Sequence, residues 1–92
     1  MYYVYILQSE VDGTLYTGQT NNLTDRLKRH NQGLIKATKA KRPYRLGYYE
    51  IYGSRSEAMF REWQLKKQYN TERKKKLIDN FDPQKIKEIL GL

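Results

Sequence analysis

Two short segments limit what this chain can become. Tyr3-Val4-Tyr5-Ile6-Leu7 is a run of aromatic and β-branched residues, the composition of a strand. Asp12-Gly13 then signals a tight turn, and Leu15-Tyr16-Thr17-Gly18 reads as the returning strand. The chain therefore opens with an antiparallel hairpin. Period-two alternation puts Tyr3, Tyr5 and Leu7 on one face and Val4 and Ile6 on the other. Tyr16 and Gly18 share a face of the second strand. The local pattern leaves open whether Tyr5 and Tyr16 face the same side.

Helical signals follow. Asn22 can cap a helix, with Asp25 in its first turn. Leu23, Leu27, His30 and Leu34 recur at helical spacing, and Gly33 is a plausible stop. Arg26 and His30, four apart, sit side by side at the edge of that stripe. Residues 35–45 read as a basic loop in which Pro43 forbids regular structure. Leu46 to Tyr52 is a third strand, bounded by Gly53. Ser54-Arg55-Ser56-Glu57 fits a capping box and opens a helix to about Tyr69. Ala58, Leu65 and Tyr69 form its packing side, flanked by Met59 and Trp63. Glu57, Arg61, Gln64 and Gln68 form a polar stripe opposite. Asn70 or Thr71 caps a basic helix through Ile78, and Asp82-Pro83 starts a last one that Gly91 ends.

The order is β-β-α-β-α-α-α. It implies an α+β domain with a three-stranded antiparallel sheet flanked by helices. Ninety-two residues suit one domain, with a core at about 3–67 and C-terminal helices at about 71–90.

Charge narrows the function. The formal net charge is +8, and it is uneven. Residues 1–25 carry three acids and no base. Residues 26–49 carry eight bases and no acid: Arg26, Lys28, Arg29, Lys36, Lys39, Lys41, Arg42 and Arg45. Such a stretch is either a solvated loop or a surface for polyanions. Tyr44, Tyr48 and Tyr49 follow closely, which suits phosphate contact combined with stacking. The absence of cysteine excludes a disulfide framework, a thiolate metal site and a cysteine nucleophile. A single histidine excludes an H-E-x-x-H zinc site. No G-x-S-x-G elbow, phosphate-binding P-loop or dinucleotide-binding glycine motif is present. No apolar run is long enough to span a membrane, and the N-terminus lacks the charged start of a signal peptide. A cytoplasmic protein is expected.

What remains is tyrosine-rich. Tyr3-Val4-Tyr5 and, ten residues on, Tyr16-Thr17-Gly18 resemble the paired signatures of the GIY-YIG nuclease superfamily. Asp25-Arg26-Leu27-Lys28-Arg29-His30 resembles its first-helix motif. Ser54-Arg55-Ser56-Glu57-Ala58, followed by Glu62-Trp63-Gln64-Leu65-Lys66-Lys67, resembles its second-helix motif, which carries a metal-binding Glu. The match runs from about Tyr3 to Lys67 and looks most like the short, stand-alone bacterial members. The first signature lacks the family's usual Gly and Ile, and Thr17 stands where Ile is usual.

The resemblance implies hydrolysis of a phosphodiester with one divalent ion, Mg²⁺ or Mn²⁺. Glu57 would ligate the ion. Arg26 would hold the scissile phosphate in its planar fork. Tyr5 and Tyr16 would bind or deprotonate the attacking water, either one as base. His30 would take or steer the proton, and Gly18 would let the backbone approach closely. Asn70 stands where some members carry a further Asn, or is a helix cap. Each residue has a plainer reading. Glu57 can be only a cap or a partner of Arg61, Arg26 a surface cation, and His30 a core residue. Tyrosine is also common in strands.

The expected partner is nucleic acid, DNA favoured over RNA and repair-related or structure-selective. The lysines and arginines from Lys28 to Arg45 would contact phosphates. A monomer, and a separate targeting protein, fit a chain with no appended domain. The other reading is a non-catalytic DNA- or RNA-binding module of the same fold.

Overall fold

A computed structural model of residues 1–92 has three strands and four α-helices in the order expected. These are β1 (Tyr2–Ser9), β2 (Leu15–Thr20), α1 (Leu23–Asn31), β3 (Tyr44–Tyr52), α2 (Arg55–Lys67), α3 (Thr71–Asp79) and α4 (Pro83–Leu90). The sheet is antiparallel with β1 in the centre, in the order β2-β1-β3. Val4, Ile6 and Leu7 are fully buried. This accounts for the unbroken apolar run of β1, which must bury both faces while its neighbours bury less.

The two faces carry separate cores. Tyr5, Leu7, Leu23, Tyr44 and Leu46 pack together on one face, with Leu27, Ile86, Ile89 and Leu90 from α1 and α4 against them. Val4, Ile6, Ala58 and Leu65 pack on the other, beneath α2 and α3. The register Tyr5↔Gly18 and Leu7↔Tyr16 places Tyr5, Tyr16 and Gly18 on one face and so settles the question that alternation left open.

A bulge interrupts β3. Ile6 pairs with Tyr48 and Leu7 with Leu46, leaving Gly47 as an extra residue. A Cβ at Gly47 would stand 3.1–3.2 Å from the Ile78 side chain of α3, so the glycine lets that side chain pack closely on the strand. The bulge also shifts the phase of the strand. Leu46 packs with Leu7, whereas Tyr48 and Tyr52 join the opposite core.

The ends follow local chemistry. Asn22, Ser54, Asn70 and Asp82 each accept a backbone N–H at a helix start. At the end of α1, Gly33 has φ +79°. The Gly33 N–H bonds His30 O and the Leu34 N–H bonds Arg29 O, a Schellman stop.

Some expectations need correction. Leu34 lies beyond that stop and is 67% exposed, so the α1 stripe ends at His30. Residues 39–41 form a 3₁₀ turn, a short form that needs little regular sequence. β3 begins at Tyr44, because Asn31 bonds both the N–H and the carbonyl of Tyr44 and holds it beside β1. On α2, Arg61 is not on the far polar side. It lies between Ala58 and Leu65 on the packed face, where Glu50 of β3 receives it. Met59, Phe60 and Trp63 consequently turn outward, and Tyr69 falls beyond the helix end.

Candidate functional site

The site lies along the free edge of β2, where α1 and α2 approach from either side. β1 and β2 supply Tyr5 and Tyr16, whose ring centroids are 6.4 Å apart. α1 supplies Arg26 and His30. Asn22 fixes the start of α1, and two buried side chains of that helix, Leu23 and His30, turn it onto the sheet.

Gly18 makes this cluster possible. A Cβ there would lie 2.5 Å from the Tyr5 hydroxyl and 3.2 Å from the Tyr16 ring. The glycine is required for the room it leaves the two tyrosines, rather than for the approach of backbone to substrate.

His30 is completely buried. Its Nε2 is 2.9 Å from the Tyr5 hydroxyl and its Nδ1 is 2.7 Å from Thr38 Oγ1. Thr38 donates its hydroxyl hydrogen to Ile35 O at 3.4 Å. That assignment makes Nδ1 the N–H and leaves Nε2 to accept from Tyr5. Burial, with the Arg26 guanidinium close by, pushes His30 down to about 4, so the imidazole is neutral at pH 7. Burial likewise pushes the Tyr5 hydroxyl up to about 12, although Arg26 beside it pulls the other way. At rest the pair is Tyr–OH donating to neutral His. Tyr16 is half-buried, its ring 5.0 Å from that of His30.

Arg26 is half-buried, and its buried Nε has no hydrogen-bond partner. An unmet guanidinium donor is costly in a folded chain. The residue itself lines an open polar cleft of about 280 Å³, together with Tyr2, Gln19, Thr20, Asn21 and Arg55.

The acid linked to the tyrosines is Glu62, which pairs with Lys66 at 3.3 Å and adds a minor charge effect on Tyr5. The Lys66 ammonium in turn lies 5.9 Å from the Tyr16 ring centroid. Glu57 is elsewhere. Ser54 Oγ accepts its N–H at 3.3 Å and donates to its carboxylate at 2.9 Å, and its charge acts on Tyr52. Glu62 falls within the second-helix motif, where the sequence pattern by itself singles out Glu57 at the capping box. A usable signal was its place four residues after buried Ala58, on the border of the packed stripe.

Several of the other expected residues are engaged elsewhere. Asn70 caps α3, its Oδ1 taking the Arg73 N–H at 2.9 Å. Arg29 pairs with Asp25 and Lys41 with Asp12, both at 3.0 Å on the surface. Arg45 bonds Gln8. Lys28, Lys36, Lys39 and Arg42 are exposed. Lys41 sits at the Ser9 end of β1, about 20 Å of strand from the Tyr2 end where the cleft lies.

No group of three or more His, Cys, Asp or Glu is placed to hold a metal, so a closed cage of protein ligands does not fit. A hard divalent ion does fit. Mg²⁺ takes one or two carboxylates and keeps water or phosphate oxygens in its remaining positions. Glu62 offers one carboxylate, held only by a surface ion pair.

Strand tyrosines, a helix arginine and a tyrosine-bonded histidine thus stand together along one sheet edge of a small α+β domain. The GIY-YIG catalytic domain matches residues 1–76. The UPF0213 protein SH2523 of Staphylococcus haemolyticus is 43% identical over 79 residues, covering 85% of this chain and 94% of its own. The UPF0213 protein CPE1444 of Clostridium perfringens is 47% identical over 68 residues, covering 73% and 72%. The solution structure of a UPF0213 protein from Bacillus halodurans has a TM-score of 0.56 at 34% identity, covering 94% of this chain and 93% of that one. The chain belongs to the GIY-YIG family, among its small UPF0213 members. No helix is long and apolar enough to cross a membrane.

Proposed function

We propose that the protein hydrolyses phosphodiester bonds in nucleic acid, DNA in preference to RNA, with one divalent ion held by Glu62. The observation that carries this reading is the Tyr5–His30 hydrogen bond beside an Arg26 whose buried Nε has no partner. Arg26 would bind the scissile phosphate through its fork, meeting the unmet donor. Tyr16, half-exposed, would orient the attacking water. Tyr5 would take the water's proton as its own passes to His30 Nε2. A neutral imidazole is the correct starting state for that transfer. Neutralising Arg26 with a phosphate also removes one of the two causes that hold His30 low. When bound, the ion would supply charge stabilisation at the leaving oxygen. Glu62 takes the ligand role in place of Glu57, since its partner Lys66 lies over the Tyr16 ring whereas the Glu57 carboxylate accepts from Ser54 at the start of α2.

The test is incubation with flaps, forks, hairpins, single strands and RNA, with Mg²⁺, Mn²⁺ or EDTA. Cleavage that needs the ion and is lost in Glu62→Gln supports the reading. Binding of the panel without cleavage of any member leaves the fold as a non-catalytic nucleic-acid-binding module.

A further inference from the structure

Arg55 has no role in the chemistry above, and its position is unusual. It is the first residue of α2, where the helix dipole is positive and a cation is disfavoured. Its neighbours give it no acid to offset this: Gln19, Thr20, Asn21, Tyr2 and Arg26 share the cleft with it, all neutral or cationic. Arg26, whose buried Nε is the sole unpartnered guanidinium nitrogen in the buried part of the molecule, lines the same cleft. Two like charges brought together with an unmet donor make a site that an anion would complete.

The cleft also has a direction. α2 starts beside Gln19–Asn21 at the end of β2, and its Lys66 ammonium lies over Tyr16 near the start of β2. The helix therefore runs antiparallel to the free edge of the sheet. Arg55 and Lys66 are separated along it by about 16 Å, with Glu62 between them. Thr20 is two residues beyond Gly18, roughly 7 Å along the strand. The cleft is thus displaced from the tyrosines along the edge but shares Arg26 with them.

We propose that this cleft is a second phosphate seat, in which Arg55 holds the phosphate neighbouring the one that Arg26 would hold at the tyrosines. It deepens the nuclease reading and rests on it for the role of Arg26. A strand of nucleic acid would run along the β2 edge, with Arg55 fixing which flank of the scissile bond is gripped. The contact is to phosphate, so it carries register and no base information.

The test uses the full chain in EDTA, labelled for amide and arginine Nε–H resonances. It is titrated with the dinucleotide dTpdT and with its 5′-phosphorylated and 3′-phosphorylated forms. One phosphorylated form should bind about tenfold tighter than dTpdT, the value of one charge-assisted contact. Shifts should appear at Gln19, Thr20, Asn21 and Arg26 Nε–H. Arg55→Gln should bring that ratio close to one, and Lys87→Gln, which removes the same charge from α4, should leave it intact. Equal affinity for all three dinucleotides, or a preference that survives Arg55→Gln, would overturn the seat. A protein that cleaves nothing yet keeps the preference supports the seat and overturns only hydrolysis. One that cleaves but shows no preference overturns the seat alone.

Discussion

The two faces of the sheet each carry a polar cluster built on tyrosines, and the clusters differ in one respect. Behind the sheet, Glu50 accepts Arg61 at 2.9 and 3.0 Å, Tyr52 at 2.6 Å and the Tyr48 hydroxyl. Arg61 is stacked over Tyr69 as well. Burial pulls the Glu50 carboxyl up, but these donors outweigh it and hold it below the usual carboxylate range. Both sides of this ion pair are under 20% exposed, and each charge is answered. In front, Arg26 keeps an unpartnered Nε and His30 is held neutral. A buried cluster whose groups are all paired fixes packing. A cluster with an unmet donor at the rim of a cleft is open to a ligand. Residue type alone does not separate the two, since both use tyrosine, arginine and an acid.

Substitutions can break this contrast. The largest expected effect is on the open side: Glu62→Gln should lower metal-dependent cleavage by at least about a thousandfold, roughly 4 kcal/mol of barrier. Its melting temperature should hardly move. Unfolding of that variant at a far lower temperature would transfer Glu62 to the closed, structural class. Next is the closed side. Arg61→Met strands Glu50 without its cation and should cost about 3 kcal/mol. Denaturant titration reads this directly, and a loss below about 0.5 kcal/mol would show the pair to be idle.

Gly18→Ala comes third. Its methyl would have to displace the Tyr5 hydroxyl, a strain of about 2 kcal/mol. The Tyr5–His30 bond should be lost with it, visible as an upward move of the imidazole titration in NMR. An unchanged titration would mean that Tyr5 accommodates the methyl in place.

His30 gives a pH dependence of about 1–2 kcal/mol. Its folded value, about 4, lies below the ordinary 6.5, so the unfolded chain binds more protons in between. Stability should be full above pH 6.5 and decline as pH falls toward 4. His30→Gln should flatten that decline. An equally steep fall in the variant would assign it to carboxylates such as Glu50 instead. The smallest effect belongs to Glu57→Gln. Gln can still accept from Ser54, so stability should stay within about 0.5 kcal/mol of the parent, with cleavage retained. Lost cleavage would restore Glu57 as the ligand.

Much of this was legible along the chain. The hairpin, the caps at Asn22, Ser54 and Asp82, and the order of elements are local matters. They depend on alternation, turn residues and side-chain oxygens a few positions from the groups they satisfy. The set Tyr5, Tyr16, Gly18, Arg26 and His30 stood out only through the resemblance of its segments to the GIY-YIG motifs, since tyrosines in strands and a histidine in an apolar stripe are ordinary by pattern alone. Glu62 and Arg55 were less accessible. Both stand on a helix whose rotation about its own axis depends on what it meets across the sheet.

That rotation was decided only in three dimensions. The Gly47 bulge changes the phase of β3, so that Tyr48, Glu50 and Tyr52 cluster beneath α2. Glu50 then draws Arg61 inward, and Glu62, one residue on, is carried to the β2 edge. Sequence alternation determines faces within a strand, where neighbours are a fixed distance apart. It cannot count a bulged residue, and it cannot place a helix on a sheet, because both follow from contacts between segments remote in the chain.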